Sequence, residues 1–173
     1  MSHFQEAAKT DPDYAMTSGL FREGIWTYVG RAQYHTGRFA EASQSLERSL
    51  SLYRKDYLAR LYLGLTLARS GDRSKGLQEI HGAMQDLYDW IESLNYTLWG
   101  QNWDPAREIQ SQIEKDLAMI SGKDFSWDKL IADAEWLGRR TEEEVDRARR
   151  DERERFFRDR DGPRRRVTVG MSF

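Results

Sequence analysis

The sequence repeats itself at an interval of 34 residues through much of its first half. Seven pairs of positions keep this spacing: Gly30 and Gly64, Gly37 and Gly71, Val29 and Leu63, Ala32 and Thr66, Leu46 and Ile80, Ser49 and Ala83, and Leu50 and Met84. A fixed period of this length is typical of helix–turn–helix units that stack and share one core. Such stacks usually bind other proteins and seldom catalyse. The period therefore indicates a class of function without naming a partner.

The composition is that of a single domain with a highly charged surface. The chain has 173 residues, of which 39% are hydrophobic and 32% are charged, enough to build one real core. The net charge of −2 gives no basic field that would recruit nucleic acid or an anionic membrane. The absence of cysteine excludes disulfides, thiolate metal sites and thiol nucleophiles.

The sequence carries no recognisable membrane or export signal. It has no run of about 18 apolar residues, so no transmembrane helix is expected. The first residues, Met1 to Glu6, lack the basic region and apolar stretch of a secretory signal. A cytoplasmic location is the default expectation. A periplasmic or membrane-associated location would require an N-terminal signal that had been removed.

Two units obey the repeat. The first spans 24–53 and the second begins at 56, and each consists of two helices joined at a glycine turn. The second helix of the second unit continues at helical spacing as far as Leu98, which predicts an extended helix. A third unit would need glycine near 98 and 105, where the sequence has Leu98 and Pro105. The repeat therefore ends there.

Further helices are predicted after the repeats, over 104–121 and 126–137, and Gly138 is expected to end or kink the second. A capping box over Thr141–Glu144 predicts the start of a last, highly charged helix. We divide the chain into an N-terminal extension over 1–22, a repeat-containing helical domain with extended capping helices over 23–122, C-terminal helices over 123–161 and a flexible tail over 162–173.

The first unit resembles a tetratricopeptide repeat (TPR). From Trp26 to Ala42 its sequence is WTYVGRAQYHTGRFAEA. The second unit matches less closely, since Arg60 stands where the repeat has its tryptophan, and the resemblance covers about 23–88. It implies an all-α fold, a right-handed stack of helical hairpins of the TPR-like α-solenoid type. We expect extra C-terminal helices and a projecting charged helix in addition.

The resemblance also implies a concave groove lined by the first helix of each unit. The residues that would line it are Thr27, Arg31, Tyr34, His35, Leu61, Leu65 and Arg69. Such a groove is half polar and half aliphatic, with Arg31 and Arg69 as donors. It fits an extended or helical peptide that carries an acidic group and an apolar side chain. The alternative is that Leu61 and Leu65 simply pack on the extended helix or on the cap.

No catalytic or metal-binding pattern is present in the sequence. His3, His35 and His81 have neither the i, i+4 spacing nor the neighbouring glutamate of a zinc site. The sequence also lacks a glycine-rich phosphate loop and a serine nucleophile elbow. We therefore expect no enzyme activity, no cofactor and no metal.

The charged C-terminal helix offers a second candidate interface. Acid–base pairs four residues apart stabilise it as a solvated helix. A thin apolar stripe that includes Val145, Phe156 and Phe157, with Phe173 in the tail, would instead dock on a partner or on a second copy.

The predicted function is that of a non-catalytic protein–protein interaction module. It would be a small adaptor or assembly factor that binds a peptide or a partner protein in the groove. The alternative is a structural protein that homo-oligomerises through the charged C-terminal helix. We expect neither a nucleic-acid partner nor direct insertion into a membrane.

Overall fold

The computed structural model describes residues 2–18, 21–94 and 103–161, and most of them are helical. The elements in chain order are α1 (Ser2–Thr10), β1 (Ala15–Ser18), β2 (Phe21–Gly24), α2 (Ile25–His35), α3 (Phe39–Leu52), α4 (Tyr57–Ser70), α5 (Arg73–Leu94), α6 (Glu108–Ser121) and α7 (Trp127–Asp161). The predicted helical character of the fold is thus confirmed. Within the described ranges, none of the helices combines the length and the apolar content needed to span a membrane.

A short β-hairpin departs from the all-α prediction. Strands β1 and β2 pair antiparallel, with Ala15 opposite Gly24. Their inward side chains include Met16, Phe21 and Glu23, all of which are buried. The alternation is hard to recognise in the sequence because each strand has only four residues and one inward position is a glutamate.

The repeated region folds as two helical hairpins packed side by side. Helix α2 packs on α3, α4 packs on α5, and α3 joins the two pairs through α4. A Cβ atom added at Gly30 would lie 2.5 Å from Leu46 Cγ, and one added at Gly64 would lie 2.9 Å from the carbonyl oxygen of Gly76. Gly71 ends α4 with a φ of 105°, in the left-handed region. The predicted glycine turn is therefore confirmed, and Gly30 and Gly64 lie where the two helices of each unit approach closely.

Helix α6 begins later than predicted. The helix expected from Asp104 starts at Glu108, and Asp104 caps it from outside. The Asp104 carboxylate accepts hydrogen bonds from the backbone N–H groups of Ile109 and Gln110, at 3.1 and 2.9 Å. Its own N–H donates to Glu144 Oε1 at 2.6 Å, which ties the start of α6 to α7.

Helix α7 runs unbroken from Trp127 to Asp161, so the predicted stop at Gly138 and new start at Thr141 are wrong. A Cβ atom at Gly138 would lie 2.8 Å from Tyr62 Oη, so this glycine serves a close helix–helix approach rather than a helix end. Thr141 Oγ1 donates to the carbonyl of Leu137 at 2.8 Å, the bond of a threonine inside a helix.

The expectation of a projecting charged helix is also corrected. Helix α7 packs against α4, α6 and β1. Its inner face stays buried as far as Ala148, and both Glu144 and Val145 are buried there. This buried face is hard to recognise in the sequence, because a buried glutamate and small alanines interrupt its apolar stripe.

Candidate functional site

Helix α7 lies over the face of α4 that the sequence assigns to a binding groove. Gly138 of α7 contacts the ring of Tyr62, and Tyr62 in turn packs edge-on to Tyr34 of α2 with ring centroids 5.6 Å apart. Leu61 and Leu65 of α4 are fully buried in the same core. The candidate site is therefore the face of α2 and α4 that α7 of the same chain covers. We call it the α2/α4 groove.

Arg31 is the centre of one end of this groove. Its guanidinium pairs with Glu23 of β2 at 2.8 Å and with Glu142 of α7. The same group lies 5.1 Å from the ring centroid of Tyr62 and 5.8 Å from that of Tyr28. Only 12% of the Arg31 side chain is exposed, so the attraction in these ion pairs is opposed by the cost of removing their charges from water. Arg31 thereby links the hairpin, α2, α4 and α7.

Burial dominates the titration of the Glu23 carboxyl. It raises the pKa of Glu23 to about 7, while the charge of Arg31 acts in the opposite direction. The nearby Asp56 and Glu142 carboxylates raise this pKa further, and a hydrogen bond with Tyr28 lowers it. A carboxyl group in this setting changes charge near neutral pH, next to the arginine that holds α7.

Arg69 and Tyr34 form the second contact with α7. Arg69 donates to Glu135 Oε1 at 2.8 Å and to Tyr34 Oη at 2.9 Å, and Tyr34 donates to the same glutamate oxygen. The pKa of Glu135 is lowered, because these two donors outweigh the opposing effect of its burial. Arg69 is 42% exposed, so this contact is open to solvent. His35 is exposed beside it, with its ring centroid 5.3 Å from that of Tyr34.

Thr27 lies one helical turn before Arg31 on α2, but its hydrogen bonds are with α3 and with the α3–α4 turn. It is buried against α3, with its Oγ1 atom 2.6 Å from Asp56 Oδ2 and 2.7 Å from Ser49 Oγ. Asp56 also accepts hydrogen bonds from the N–H groups of Gly24 and Ala59. Thr27 thus belongs to a hydrogen-bonded cluster that joins the two repeats, and it is not available to a ligand in the groove.

The structure brings together four of the seven predicted groove residues around α7, namely Arg31, Tyr34, His35 and Arg69. The carboxylates that form ion pairs or hydrogen bonds with these side chains were not predicted; they belong to Glu23, Glu135 and Glu142. Their sequence signal is weak, since Glu135 and Glu142 are two among many charges on α7 and seven residues apart. That spacing places both on one face of a helix, which is the only hint the sequence offers.

The second predicted interface is only partly described. Val145 is buried within the chain, so it contributes to no exposed stripe, whereas Phe157 is 51% exposed. The side chain of Phe156 and the whole of Phe173 lie outside the described residues, as does the tail over 162–173.

Comparison of the chain with known protein families, with curated proteins and with solved structures finds no match in any of the three. The resemblance to tetratricopeptide repeats therefore stays a prediction from the residues that carry it. Function has to be inferred from the contacts of this chain.

Proposed function

We propose that this protein is a non-catalytic protein-interaction module, a small adaptor or assembly factor built on a short TPR-like stack. Its α2/α4 groove holds an acidic helical segment. In the isolated chain that segment is α7. A partner that presents the same chemistry takes its place, or binds as α7 moves aside.

The observation that carries this proposal is the chemistry of the contact between α7 and the groove. Two glutamates seven residues apart reach Arg31 on one side and Arg69 with Tyr34 on the other. Between them, Gly138 lets the helix backbone approach Tyr62 closely. An acidic helix laid into a groove with cationic and aromatic walls is a common mode of peptide recognition. It also matches the acidic, partly apolar ligand that the sequence indicates.

Because α7 belongs to the same chain, a partner needs a high affinity for the groove in order to displace it. A tethered segment acts at an effective concentration in the millimolar range, so a weak partner does not displace it. The contact at Glu135 is partly exposed and contributes at most about 1 kcal/mol. Weakening α7 at its two glutamates should therefore open the groove without destroying the core.

The test uses a fluorescent peptide with the sequence of residues 127–150, titrated with the full chain and followed by anisotropy. The double variant Glu135→Gln/Glu142→Gln should bind this peptide about tenfold more tightly than the unmodified chain, because its own helix competes less well. The matched control is Glu143→Gln/Glu154→Gln, which removes two exposed carboxylates from the same helix. We expect the control to bind the peptide as the unmodified chain does.

Three results would contradict the proposal. In the first, the peptide binds neither the unmodified chain nor the Glu135→Gln/Glu142→Gln chain. In the second, it binds the Glu135→Gln/Glu142→Gln chain and the control variant equally. In the third, the Arg69→Glu change leaves binding to the Glu135→Gln/Glu142→Gln chain unaltered. Light scattering on the same samples adds a further distinction. A mass that rises in the Glu135→Gln/Glu142→Gln chain would mean that α7 exchanges between copies, and would favour the self-associating alternative.

A further inference from the structure

A second cavity of about 540 Å³ opens at a different place, where the end of the hairpin, the α3–α4 turn and the end of α5 meet. None of the groove residues lines it. Its walls carry three cationic side chains, Arg22, Arg54 and Lys55, and aromatic rings from Tyr53, Tyr57 and Trp90. We call it the basic cleft. Its volume is in the range of sites that bind small ligands or short peptide segments.

The three cations of the basic cleft have no carboxylate partner within the part of the chain that the structure describes. All three are exposed, and the only recorded contact of their charged groups is that of Arg22, which lies 5.4 Å from the ring centroid of Tyr53. By contrast, Arg60 a few residues later is bound by two acids, Glu79 at 2.9 Å and Asp86 at 2.6 Å. The cleft therefore presents three positive charges that form no ion pair with the described residues, on a chain whose net charge is −2.

Three stretches that lie outside the described ranges carry no acidic side chain. The stretches 19–20, 95–102 and 162–173 contain no aspartate or glutamate. The last of them contains three consecutive arginines, which the basic cleft would repel. These three stretches therefore offer the basic cleft no side-chain carboxylate.

The aromatic wall of the basic cleft is fixed by the core behind it. Tyr57 and Trp90 are each 9% exposed, and their ring centroids lie 5.7 Å apart. Trp90 packs edge-on to the buried Phe21, with centroids 5.4 Å apart. A wall held in this way loses little entropy when a ligand side chain packs against it.

The acids near the basic cleft define its polarity. An adjoining cavity of about 370 Å³ shares Arg54 and Lys55 and adds Asp86 and Asp89 of α5. Asp86 is paired with Arg60, and Asp89 accepts a hydrogen bond from Gln85 without being neutralised. An anionic ligand is repelled from that end and drawn toward the hairpin end, where Arg22 lies.

We propose that the basic cleft is a binding site for an acidic peptide segment of a partner protein, with carboxylates on Arg22, Arg54 and Lys55 and an apolar or aromatic side chain on the Tyr57 and Trp90 wall. Three cations beside rings fit a short peptide better than nucleic acid, which would need a longer basic track. The site is separate from the α2/α4 groove. It binds whether or not α7 is displaced.

The test is calorimetric titration of the full chain with the peptide acetyl-Asp-Glu-Phe-Asp-Glu-amide, at low and at physiological salt. The uncharged analogue acetyl-Asn-Gln-Phe-Asn-Gln-amide and inorganic phosphate are the comparison ligands. We expect the acidic peptide to bind about tenfold more tightly than its analogue, with an affinity that falls as salt rises. The Arg54→Glu/Lys55→Glu chain should lose this binding by at least about tenfold.

The matched control is Lys115→Glu/Lys123→Glu, which makes the same change of net charge at two exposed positions on and just after α6. It should bind the acidic peptide nearly as the unmodified chain does. Circular dichroism of each variant checks that the fold is kept. The Arg22→Gln chain, altered on the other wall, should also bind more weakly, which tests the cleft without a change at the α3–α4 turn.

Several results would overturn the site. The first is that the acidic peptide does not bind, and the second is that the uncharged analogue binds equally well. The third is that the Lys115→Glu/Lys123→Glu change weakens peptide binding as much as the Arg54→Glu/Lys55→Glu change does. Phosphate that binds as tightly as the peptide and competes with it would show a general anion site instead. Binding that tightens in Glu135→Gln/Glu142→Gln and ignores Arg54→Glu/Lys55→Glu would place the peptide in the α2/α4 groove.

Discussion

Arg31 shows how one side chain can serve both the fold and the proposed function. A buried guanidinium needs acceptors for its donors, and here carboxylates from two different elements, β2 and α7, pair with its terminal nitrogens, while Nε has no partner among the described residues. Glu23 comes from the strand that leads directly into α2, whereas Glu142 comes from the last helix of the described chain. An acid from a partner helix at the position of Glu142 would satisfy Arg31 equally well.

The Glu23 carboxyl should make stability depend on pH. Its pKa is about 7 in the fold and about 4.5 in the unfolded chain, so the folded state holds an extra proton between these values. The resulting stabilisation is complete below about pH 4.5 and is lost as the pH rises through about 7. Urea unfolding of the unmodified chain between about pH 5 and 8 should therefore show a falling free energy, to which Glu23 contributes up to about 3 kcal/mol, while the raised pKa values of Asp56 and Asp116 act in the same direction.

The Glu23→Gln chain should show a flatter profile over the same pH range, because an amide keeps an acceptor for Arg31 but does not titrate. The exposed Glu143→Gln change serves as the control and should follow the unmodified chain. Parallel profiles for the Glu23→Gln and unmodified chains would contradict the assignment of this titration to Glu23.

At the scale of elements, Gly138 in α7 is the position where sequence and structure disagree most usefully. Helix propensity alone predicts that Gly138→Ala stabilises the protein by about 1 kcal/mol. The added Cβ would lie 2.8 Å from Tyr62 Oη and 2.9 Å from its Cε2, and Tyr62 is fully buried. We expect the clash to win, with a net loss of about 1–2 kcal/mol in thermal or urea unfolding.

A propensity control is available on the same helix. Ala132→Gly at an exposed position should cost about 1 kcal/mol without disturbing the docking of α7. Both changes should then destabilise the protein, although they alter helix propensity in opposite directions. A stabilised Gly138→Ala chain would show that α7 does not press on Tyr62 as described.

The elements that the sequence predicts well are those whose signals are local. Gly64 and Gly71 mark a close crossing and a left-handed turn, and both are explained by contacts within one repeat. Gly138 carries an equally clear glycine signal, but its meaning depends on Tyr62, which lies 76 residues earlier. Glu23 likewise occupies an inward strand position, which its ion pair with Arg31 makes possible. Tertiary partners of this kind cannot be recognised from periodicity.

At the scale of the whole molecule, α7 is part of the core. Apolar residues from the hairpin, from both repeats, from α5 and α6 and from α7 form one buried cluster. Those that α7 contributes are Leu130, Ala134, Leu137, Val145 and Ala148. A smaller cluster joins Ala8 of α1 to Ile25 and Val29 of α2 and closes the other end of the stack. Because α7 is buried to this extent, we expect a partner to displace it first at the exposed end near Arg69, and only then along its whole length.

Truncation separates the structural part of α7 from the rest. Removing Leu130, Leu137 and Val145 from the core forfeits roughly 5–8 kcal/mol of apolar burial, which is comparable with the whole stability of an ordinary domain. A chain that ends at residue 126 should therefore lose cooperative unfolding or aggregate. A chain that ends at residue 150 keeps both groove glutamates and every residue of α7 that the structure describes as buried. Its melting temperature should stay within a few degrees of that of the full chain.

The two truncations are compared by thermal circular dichroism and by binding of the peptide with the sequence of residues 127–150. If the chain ending at 126 is stabilised by that peptide in trans, the groove accepts the helix as a ligand, since only binding to the folded form raises stability. The chain ending at 150 should gain nothing from the peptide at the same concentration. A chain ending at 126 that melts cooperatively at the temperature of the full protein, with no response to the peptide, would show that α7 adds little to the core and that its docking is not the interaction that the groove is built for.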